Sequence, residues 1–507
     1  MVTNRLAVMA LAAPLTLGAC LSTPANGYLY SCSIEQACPA GTGCASDNLC
    51  HPQYVAGAGP ADAGAYLCAS TVPECPEGQT CQPNGLCSAG DGGGMELPDA
   101  GDAGSTKPCD LAMAFPGSSS FACGTNCAGL AVGDFNRDGY ADVVVAVDPD
   151  NSNEGGLAVL LNDGTGSFGA PKVTRTIYNC GNDPDFPEYT SPDAFAVADF
   201  NGDGWPDLGL SLQESSQLAL AINDQNGGFA VGGFQPGTSS NCGDSSGYSD
   251  INAYQAGGDW YLAALGYGIT DSSDTRAVAV SRVQNSGPSL DPFTYLEPAS
   301  DYLPSAVTVG LFADNPNPSA VVAEESLDTG AGQLELFSGT NSGRLVSPSS
   351  QTLISQEGTT WVTSADLNGD GLLDLIATNA GSDTVEIFYA KDGGFRPGVS
   401  FPMDVSTDMS DAGAQPQGAV VADLDGDGRP DIATVNFAGS ISILKGLSDG
   451  GFLLVAMQQT TTPGPFWISA VDLKDHGAND GGLPDLVVSY LSGSQSGGID
   501  VFYNNCR

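Results

Sequence analysis

Four stretches of the chain repeat a nine-residue pattern that could bind a hard cation. Oxygen-bearing side chains stand at positions 1, 3, 5 and 9, and glycine stands at position 6. Ca²⁺ takes roughly six to eight oxygen ligands from carboxylates, amides and carbonyls, and glycine lets the chain turn between ligands without a steric penalty. We therefore expect four calcium sites. The stretches are DFNRDGYAD from Asp134, DFNGDGWPD from Asp199, DLNGDGLLD from Asp366 and DLDGDGRPD from Asp423.

The pattern nominates specific side-chain ligands in each stretch. Every set contains at least three carboxylates, and its remaining member is an amide or a fourth carboxylate. The carboxylates repel one another unless a cation is present. The predicted side-chain ligands are Asp134, Asn136, Asp138, Asp142, Asp199, Asn201, Asp203, Asp207, Asp366, Asn368, Asp370, Asp374, Asp423, Asp425, Asp427 and Asp431.

Short apolar segments flank each pattern and define the element that must position it. Such segments are typical of β-strands, so each loop is predicted to connect the two strands of a hairpin. This excludes an EF-hand, whose longer loop lies between helices. The segments before the loops are residues 130–132, 195–197, 362–363 and 419–421, and those after them are residues 142–145, 207–210, 374–377 and 431–434.

The units around the loops are typical of propeller blades. A third strand, a glycine turn with an aromatic residue and a fourth strand follow each hairpin, at intervals of about 50–65 residues. The sequence thus predicts an all-β fold, a seven-bladed β-propeller with four-stranded blades. Units three and four keep apolar strands without the ligand pattern. The loops are expected to start at Asp134, Asp199, near Asp250, near Phe312, Asp366, Asp423 and Asp472.

The seventh loop is irregular. It begins at Asp472 and ends at Asp485, but it is longer than the other loops and contains Lys474 and His476. A fifth cation could bind there through Asp475, Asn479 or Asp480, or the loop binds none.

The loops and their surroundings resemble the FG-GAP/VCBS repeats of integrin-α-type β-propellers. The resemblance covers roughly residues 109–507 and is strong in units one, two, five and six. It implies that the hairpin loops hold Ca²⁺ on one face of the propeller. It also implies that position 7 supplies a backbone carbonyl, from Tyr140, Trp205, Leu372 and Arg429.

The ends of the repeat region indicate how the ring closes. The last unit stops at its third strand, residues 498–504, and residues 111–122 resemble the missing fourth strand. We expect this N-terminal segment to complete the last blade, which would also remove an exposed strand edge. Cys109 and Cys506 would then be close enough to form a disulfide bond.

The N-terminus indicates export. Residues 1–20 contain Arg5, an apolar run too short to cross a bilayer, and Leu-Gly-Ala before Cys20. This ending resembles a bacterial lipobox and implies cleavage and lipidation at Cys20; an ordinary signal peptide with an incidental cysteine is the alternative. Residue 21 is Leu and not the Asp that retains some bacterial lipoproteins at the inner membrane, which favours the outer membrane. We expect an outer-membrane lipoprotein facing the periplasm or the cell surface.

Cysteine usage supports an extracytoplasmic location. Of the 15 cysteines, eight form two similar sets within residues 21–88, predicted to be two disulfide-rich modules. Zinc is the alternative, although the sets lack CxxC pairs. Residues 89–108 are predicted to be a flexible linker to the propeller at residues 109–507. The sets are Cys32, Cys38, Cys44, Cys50 and Cys68, Cys75, Cys81, Cys87, and further expected pairs are Cys123–Cys127 and Cys180–Cys242.

Charge and motif content limit the function. The net charge of −45 repels nucleic acid, so no nucleic-acid partner is expected. No nucleophile elbow, phosphate loop or HExxH motif is present, and the histidines are His51 and His476. The sequence favours a monomeric, calcium-stabilised binding or adhesion module for a protein or glycan, and not an enzyme. A lyase-like polysaccharide-active enzyme, which the resemblance group includes, and a structural envelope protein are the alternatives.

Overall fold

A computed structural model describes most of the region from residue 110 onward. In the N-terminal region it describes the backbone of residues 42–44, 50–52, 79–81 and 87–89. Beyond residue 110 it describes residues 110–506 except 125–126, 148–154, 179–187, 190–191, 213–216, 237–246, 268–275, 285–288, 293, 297–301, 313–314, 341, 404–413, 461–463, 475–481 and 491–497. The predicted signal peptide, residues 90–108 of the predicted linker, Cys109 and the expected Cys180–Cys242 pair lie outside the described residues. No helix in the described part is long and apolar enough to cross a membrane.

The chain divides into two units by its internal contacts. The smaller unit is Met1–Ala63 with Asn368–Gly371, and the larger is Gly64–Leu367 with Leu372–Arg507. The smaller unit contains the hairpin of β1 (Thr42–Cys44) and β2 (Cys50–Pro52). A similar hairpin, β3 (Gln79–Cys81) and β4 (Cys87–Ala89), begins the described part of the larger unit.

Seven four-stranded antiparallel sheets form most of the larger unit, and they confirm the predicted fold class. We number them as blades one to seven in chain order. Before them come α1 (Leu111–Ala114) and β5 (Ser118–Ala122). Blade one contains β6 (Cys127–Gly133), β7 (Asp142–Val147), β8 (Gly156–Leu160) and β9 (Lys172–Arg175). After the hairpin of β10 (Ile177–Tyr178) and β11 (Glu188–Tyr189), blade two contains β12 (Pro192–Ala198), β13 (Asp207–Leu212), β14 (Gln217–Asn223) and β15 (Phe229–Pro236). Blade three contains β16 (Gly247–Ala256), β17 (Asp259–Tyr267), β18 (Arg276–Arg282) and β19 (Thr294–Leu296).

Blades four to seven follow the same plan. Blade five carries an extra hairpin, β27 (Ala390–Lys391) with β28 (Gly394–Phe395), between its third and fourth strands. The strands of these blades are β20 (Tyr302–Gly310), β21 (Ser319–Ser326), β22 (Ala331–Gly339) and β23 (Leu345–Glu357); β24 (Thr359–Ala365), β25 (Asp374–Asn379), β26 (Thr384–Phe388) and β29 (Val399–Pro402); β30 (Pro416–Ala422), β31 (Asp431–Asn436), β32 (Ser440–Gly446) and β33 (Phe452–Gln459); and β34 (Pro465–Val471), β35 (Asp485–Tyr490) and β36 (Gly498–Phe502).

The ring closes as the sequence indicated, with one correction. Strand β5 pairs antiparallel with β36, and so completes blade seven from the N-terminal side. The Ser120 hydroxyl donates to Asp500 Oδ1 across this junction. The strand covers only Ser118–Ala122, because Leu111–Ala114 forms a helical turn whose apolar residues pack against Cys506. Cys506 is in a disulfide bond, but Cys109 lies outside the described residues, so their pairing stays a prediction. The expected Cys123–Cys127 bond is present.

The core lies between neighbouring blades. In β7 every residue is buried, because the two faces of the strand pack against two different blades. Val143 and Val145 pack with Val487 of blade seven, whereas Val144 packs with Leu208 of blade two. Seven apolar clusters of this kind occupy the seven blade interfaces. Successive first strands contact one another around the ring, and β34 contacts β6. A second strand such as β7 is buried on both faces, so its sequence is continuously apolar and does not alternate between apolar and polar residues.

Blade four buries two carboxyl groups. Glu324 of β21 and Glu335 of β22 lie on the same face of the sheet, and Gln333 Nε2 donates to Glu324 Oε2 at 2.6 Å. Burial, with a smaller contribution from Glu335, raises the pKa of Glu324 to about 8. Glu324 is therefore largely protonated in the folded protein at neutral pH.

We expect the stability of the protein to fall between about pH 5 and pH 8 because of Glu324. Its folded pKa lies above the unfolded value, so the native state releases the proton later as pH rises and loses stability, by up to about 1.4 kcal/mol per pH unit. Glu324→Gln should reduce the dependence of the free energy of unfolding on pH in this range, measured by urea unfolding in saturating Ca²⁺. Glu325→Gln, at a neighbouring but less buried position, is the control. Equal slopes for the wild type and Glu324→Gln would contradict the assignment.

Candidate metal centres

Each regular loop joins the first and second strands of its blade. In blade two, β12 ends at Ala198 and β13 begins at Asp207, which leaves the pattern from Asp199 in the hairpin loop. Blades one, five and six have the same arrangement. The first strands are neighbours in the ring and each runs toward its loop, so the loops of blades one, two and six lie on one face of the larger unit.

The position-1 aspartate organises the loop through backbone hydrogen bonds. Asp199 Oδ1 accepts from the N–H groups of Gly202 and Asp203 at 2.8 and 3.1 Å, and its Oδ2 accepts from Gly204 at 2.8 Å. Asp423 makes the equivalent contacts in blade six. Such local bonds bend the backbone around the carboxylate, so the turn that gathers the oxygens forms from its own residues.

Positions 3 and 5 turn their oxygens toward the same loop. Asn201 Oδ1 accepts from the Asp203 N–H at 2.8 Å, while its amide donates to Asp203 Oδ2 at 3.1 Å. Asp203 Oδ1 in turn accepts from the N–H of Trp205, the position-7 residue, at 2.8 Å. Blade one repeats these contacts through Asn136 and Asp138. The neutral amide thus supplies a hydrogen-bond donor to the position-5 carboxylate.

Position 4 requires a left-handed backbone, which the sequence pattern did not specify. Gly202 and Gly426 have φ values of 75° there, but blade one places Arg137 at φ 56°. A non-glycine residue in this region costs on the order of 1 kcal/mol. The Arg137 guanidinium lies 5.0 Å from the ring centroid of Trp205 in the next loop. This cation–π contact offsets part of that strain and links the loops of blades one and two.

The position-9 aspartate is the buried member of each ligand set. Asp207 Oδ2 accepts from the Phe200 N–H at 3.1 Å, and Oδ1 accepts from the Asn223 N–H at 2.8 Å. It therefore joins the loop to the end of the third strand. Burial raises the pKa of Asp142, Asp207 and Asp485 to about 6 and that of Asp431 to about 7. The same pair of contacts is made by Asp142, Asp374, Asp431 and Asp485.

The carboxylates converge most clearly in blade six. Asp423, Asp425 and Asp431 each place one oxygen within 4.8 Å of the others, the only such group of three among the described residues. The Lys445 ammonium bonds to Asp425 and lies 3.2 Å from Asp427, and the Arg429 guanidinium contacts Asp427 at 2.5 Å. A set of hard oxygen donors at this separation fits Ca²⁺, and it is the loop with most carboxylates.

The residues of the blade-five loop are divided between the two units. Asn368 and Asp370 belong to the smaller unit, where Asn368 Oδ1 accepts from the Asp370 N–H at 2.9 Å. Asp366, Leu372 and Asp374 belong to the larger unit.

Blade three corrects the predicted loop near Asp250. Its first two strands are joined by a tight turn at Gly257 and Gly258, both with positive φ. Asp250 lies within β16 at a β-bulge, where Oδ2 accepts from the Val307 N–H of blade four at 2.8 Å. Burial raises the pKa of Asp250 to about 7. The interpretation was wrong because a lone aspartate in a weak repeat resembled a loop start, whereas it bonds two first strands.

Blades four and seven depart from the pattern in other ways. The blade-four loop near Phe312 lies where predicted, but Ser319 takes the position-9 role and accepts from the Gly339 N–H at 3.0 Å. In blade seven, Lys474 stands at position 3, and its ammonium lies 3.6 Å from the ring centroid of Tyr503. The other ligand candidates there, Asp475, Asn479 and Asp480, lie outside the described residues, as does His476.

Three asparagines that the sequence interpretation missed connect neighbouring blades. Asn223 Nδ2, at the end of the third strand of blade two, donates to the Phe135 carbonyl of blade one at 2.9 Å. Asn162 and Asn504 donate in the same way to Leu473 and Leu424, at 2.6 and 2.7 Å. All three asparagines are buried. Their common place, at the end of an apolar third strand or two residues beyond it, was the available sign.

We expect Asn223→Ala to lower the free energy of unfolding by about 2 kcal/mol. The substitution leaves the buried carbonyl of Phe135 and the half-buried carbonyl of Pro206 without their amide donor. Urea unfolding would measure the loss. Asn226→Ala is the control, because the Asn226 side chain donates locally, to the Asp224 carbonyl, on the exposed surface. Equal effects of the two substitutions would show that the inter-blade contact adds no stability.

The first strands enclose a cavity of about 360 Å³ along the centre of the ring. Trp361 and Trp467 both line it. Phe466 packs against both indoles, at centroid distances of 6.3 and 4.6 Å. Trp467 is 8% exposed. Trp361 also packs against the apolar clusters on both sides of blade five.

Comparison with known protein families supports the repeat assignment. Residues 134–210 and 366–434 match the FG-GAP-like repeat. The chain therefore contains FG-GAP-like repeats. These two segments begin at Asp134 and Asp366 and include all four regular loops. None of the curated proteins matches the chain at a significant level.

Several solved structures are similar to the chain at low identity. A functionally unknown protein from Desulfotomaculum acetoxidans is 10% identical, with a TM-score of 0.43 and coverage of 71% of this chain and 99% of that one. A protein proposed to be a 6-phosphogluconolactonase from Bacteroides uniformis is 15% identical, with a TM-score of 0.44 and coverage of 64% and 84%. A protein from Lactobacillus plantarum is 15% identical, with a TM-score of 0.43 and coverage of 66% and 85%. Similarity at this level carries no argument about activity.

Proposed function

We propose that the chain is a calcium-stabilised β-propeller that acts as a binding or adhesion module outside the cytoplasm. The convergence of Asp423, Asp425 and Asp431 within 4.8 Å is the observation that carries the calcium assignment. Blades one, two and five repeat the same ligand types at the same spacing. The residues that would hold Ca²⁺ are the side-chain oxygens at positions 1, 3, 5 and 9, with the position-7 carbonyl.

The proposed role of the ion is structural. Ca²⁺ would neutralise the carboxylates of each loop and so stabilise the turn between the first two strands. The position-9 aspartates already accept two backbone N–H groups each, which leaves them poorly placed to act as bases toward a substrate. We therefore favour binding over catalysis.

The partner is proposed to be a protein or a glycan. Support comes from the long inter-blade connections at residues 179–191, 238–249 and 403–417, since variable recognition sequences are commonly carried on loops above a rigid scaffold. Most of these residues lie outside the described part. We further propose that lipidation at Cys20 anchors the chain to the outer membrane and that the N-terminal modules and linker extend the propeller away from it.

A binding experiment tests the proposal. The full chain would be applied to a glycan array and used to capture envelope proteins, each with Ca²⁺ and with EDTA. Retention of an intact glycan or one defined protein, lost in EDTA, is the expected result. Release of unsaturated oligosaccharides would instead identify a lyase, and no binding in either assay would favour a structural envelope protein.

A further inference from the structure

The loop of blade six differs from the other regular loops at two positions that touch. Position 3 is asparagine in blades one and two but Asp425 in blade six. In each of these blades, a backbone N–H near the end of the third strand bonds to the position-9 aspartate. The residue immediately before that N–H is Leu161 in blade one and Ile222 in blade two, but Lys445 in blade six. The extra carboxylate and the extra ammonium bond to each other.

Lys445 supplies the hydrogen bonds that an amide supplies in the other loops. In blades one and two, the position-3 amide donates to the position-5 carboxylate at 2.8 and 3.1 Å. Asp425 has no such donor, and the Lys445 ammonium instead reaches Asp425 and, at 3.2 Å, the position-5 residue Asp427. The blade-six loop therefore has its own cation in place of an amide.

The burial of these groups makes the ammonium a competitor for a metal ion. The side chains of Asp425 and Asp427 are 0% and 2% exposed, whereas that of Lys445 is 22% exposed. An ion that used the oxygens of Asp425 and Asp427 would have to displace the ammonium. The partial exposure and flexible stem of Lys445 give it a route into solvent.

We propose that Lys445 is an intramolecular cation that stabilises the blade-six loop without metal and lowers its affinity for Ca²⁺. This inference rests on the proposed function. It assigns the four regular loops to two classes: three that depend on Ca²⁺ for charge neutralisation, and one that is partly neutralised by the chain itself.

Lys445→Leu tests the inference, because leucine is the blade-one residue at this position. In EDTA the variant should melt at a lower temperature than the wild type, since Asp425 loses its cation and Asp427 keeps only the Arg429 guanidinium. In calorimetric Ca²⁺ titrations one site should bind about tenfold more tightly than in the wild type, as displacement of a charge-assisted hydrogen bond is no longer required. The double variant Asp425→Asn with Lys445→Leu, which reproduces the blade-one residue types, should recover stability in EDTA.

Two further variants separate this role from general effects of charge. Lys445→Arg keeps the cation and should retain both the stability in EDTA and the weak site. Lys172→Leu removes a lysine that pairs with Asp224 on the exposed surface and should leave the Ca²⁺ titration unchanged. If Ca²⁺ stabilises the wild type but Lys445→Leu alters neither the melting temperature in EDTA nor any affinity, the inference fails alone. If the wild type binds no Ca²⁺, the proposed function fails with it.

Discussion

Removal of calcium by EDTA is expected to lower the melting temperature of the protein by on the order of 10 °C, and added Ca²⁺ should restore it. Extracellular modules bind Ca²⁺ with dissociation constants of about 10⁻⁴–10⁻³ M. At about 10 mM Ca²⁺, each filled loop would then add roughly 1.5–3 kcal/mol to the free energy of unfolding. Four loops together give the expected shift for a domain of this size.

Differential scanning calorimetry in EDTA, Ca²⁺ and Mg²⁺ would measure this effect. Mg²⁺ is the control, because it requires a smaller octahedral site and gives up its water ligands reluctantly; it should restore much less stability. An identical melting temperature in EDTA and in millimolar Ca²⁺ would show that the loops are not calcium sites, although the propeller fold itself would stand.

Asp207→Ala is expected to lower the free energy of unfolding by about 3–5 kcal/mol in EDTA, and by more in Ca²⁺, because Asp207 is also a proposed ligand. The substitution leaves the buried Phe200 and Asn223 N–H groups without an acceptor, and each unsatisfied donor costs about 1–3 kcal/mol. It also disconnects the loop from the third strand. The loss should therefore persist in EDTA, where the metal no longer contributes.

Asp199→Ala is the matched comparison, since it removes a carboxylate from the same loop at a half-buried position whose backbone hydrogen bonds are exposed. Its partners are N–H groups that water can reach once the carboxylate is gone, so its cost in EDTA should be about 1 kcal/mol and should grow in Ca²⁺. Urea unfolding of both variants in both conditions would separate the roles. Equal losses in EDTA would show that position 9 has no structural role beyond the ligand set.

The sequence alone predicted the number of blades and the location of the regular loops. It could do so because each blade contributes the same short-range information: an apolar strand, nine residues with oxygens at fixed spacing, and a second apolar strand. Turn formation at Asp199 is local, since its partners Gly202, Asp203 and Gly204 lie within five residues. The sequence also predicted ring closure by an N-terminal strand, because the last unit lacks its fourth strand and an extra strand precedes the first unit.

The tertiary structure decided which of these residues connect blades. Asn223 bonds to Phe135, far away in sequence, and Asp250 bonds to Val307 in the next blade; no local pattern encodes such partners. Lys445 meets Asp425 only because β32 lies beside the hairpin that carries the loop. The spacing of side chains along the chain thus determined where cation ligands gather. Their burial and their partners depended on how neighbouring blades pack, because those contacts join residues that only the closed ring brings together.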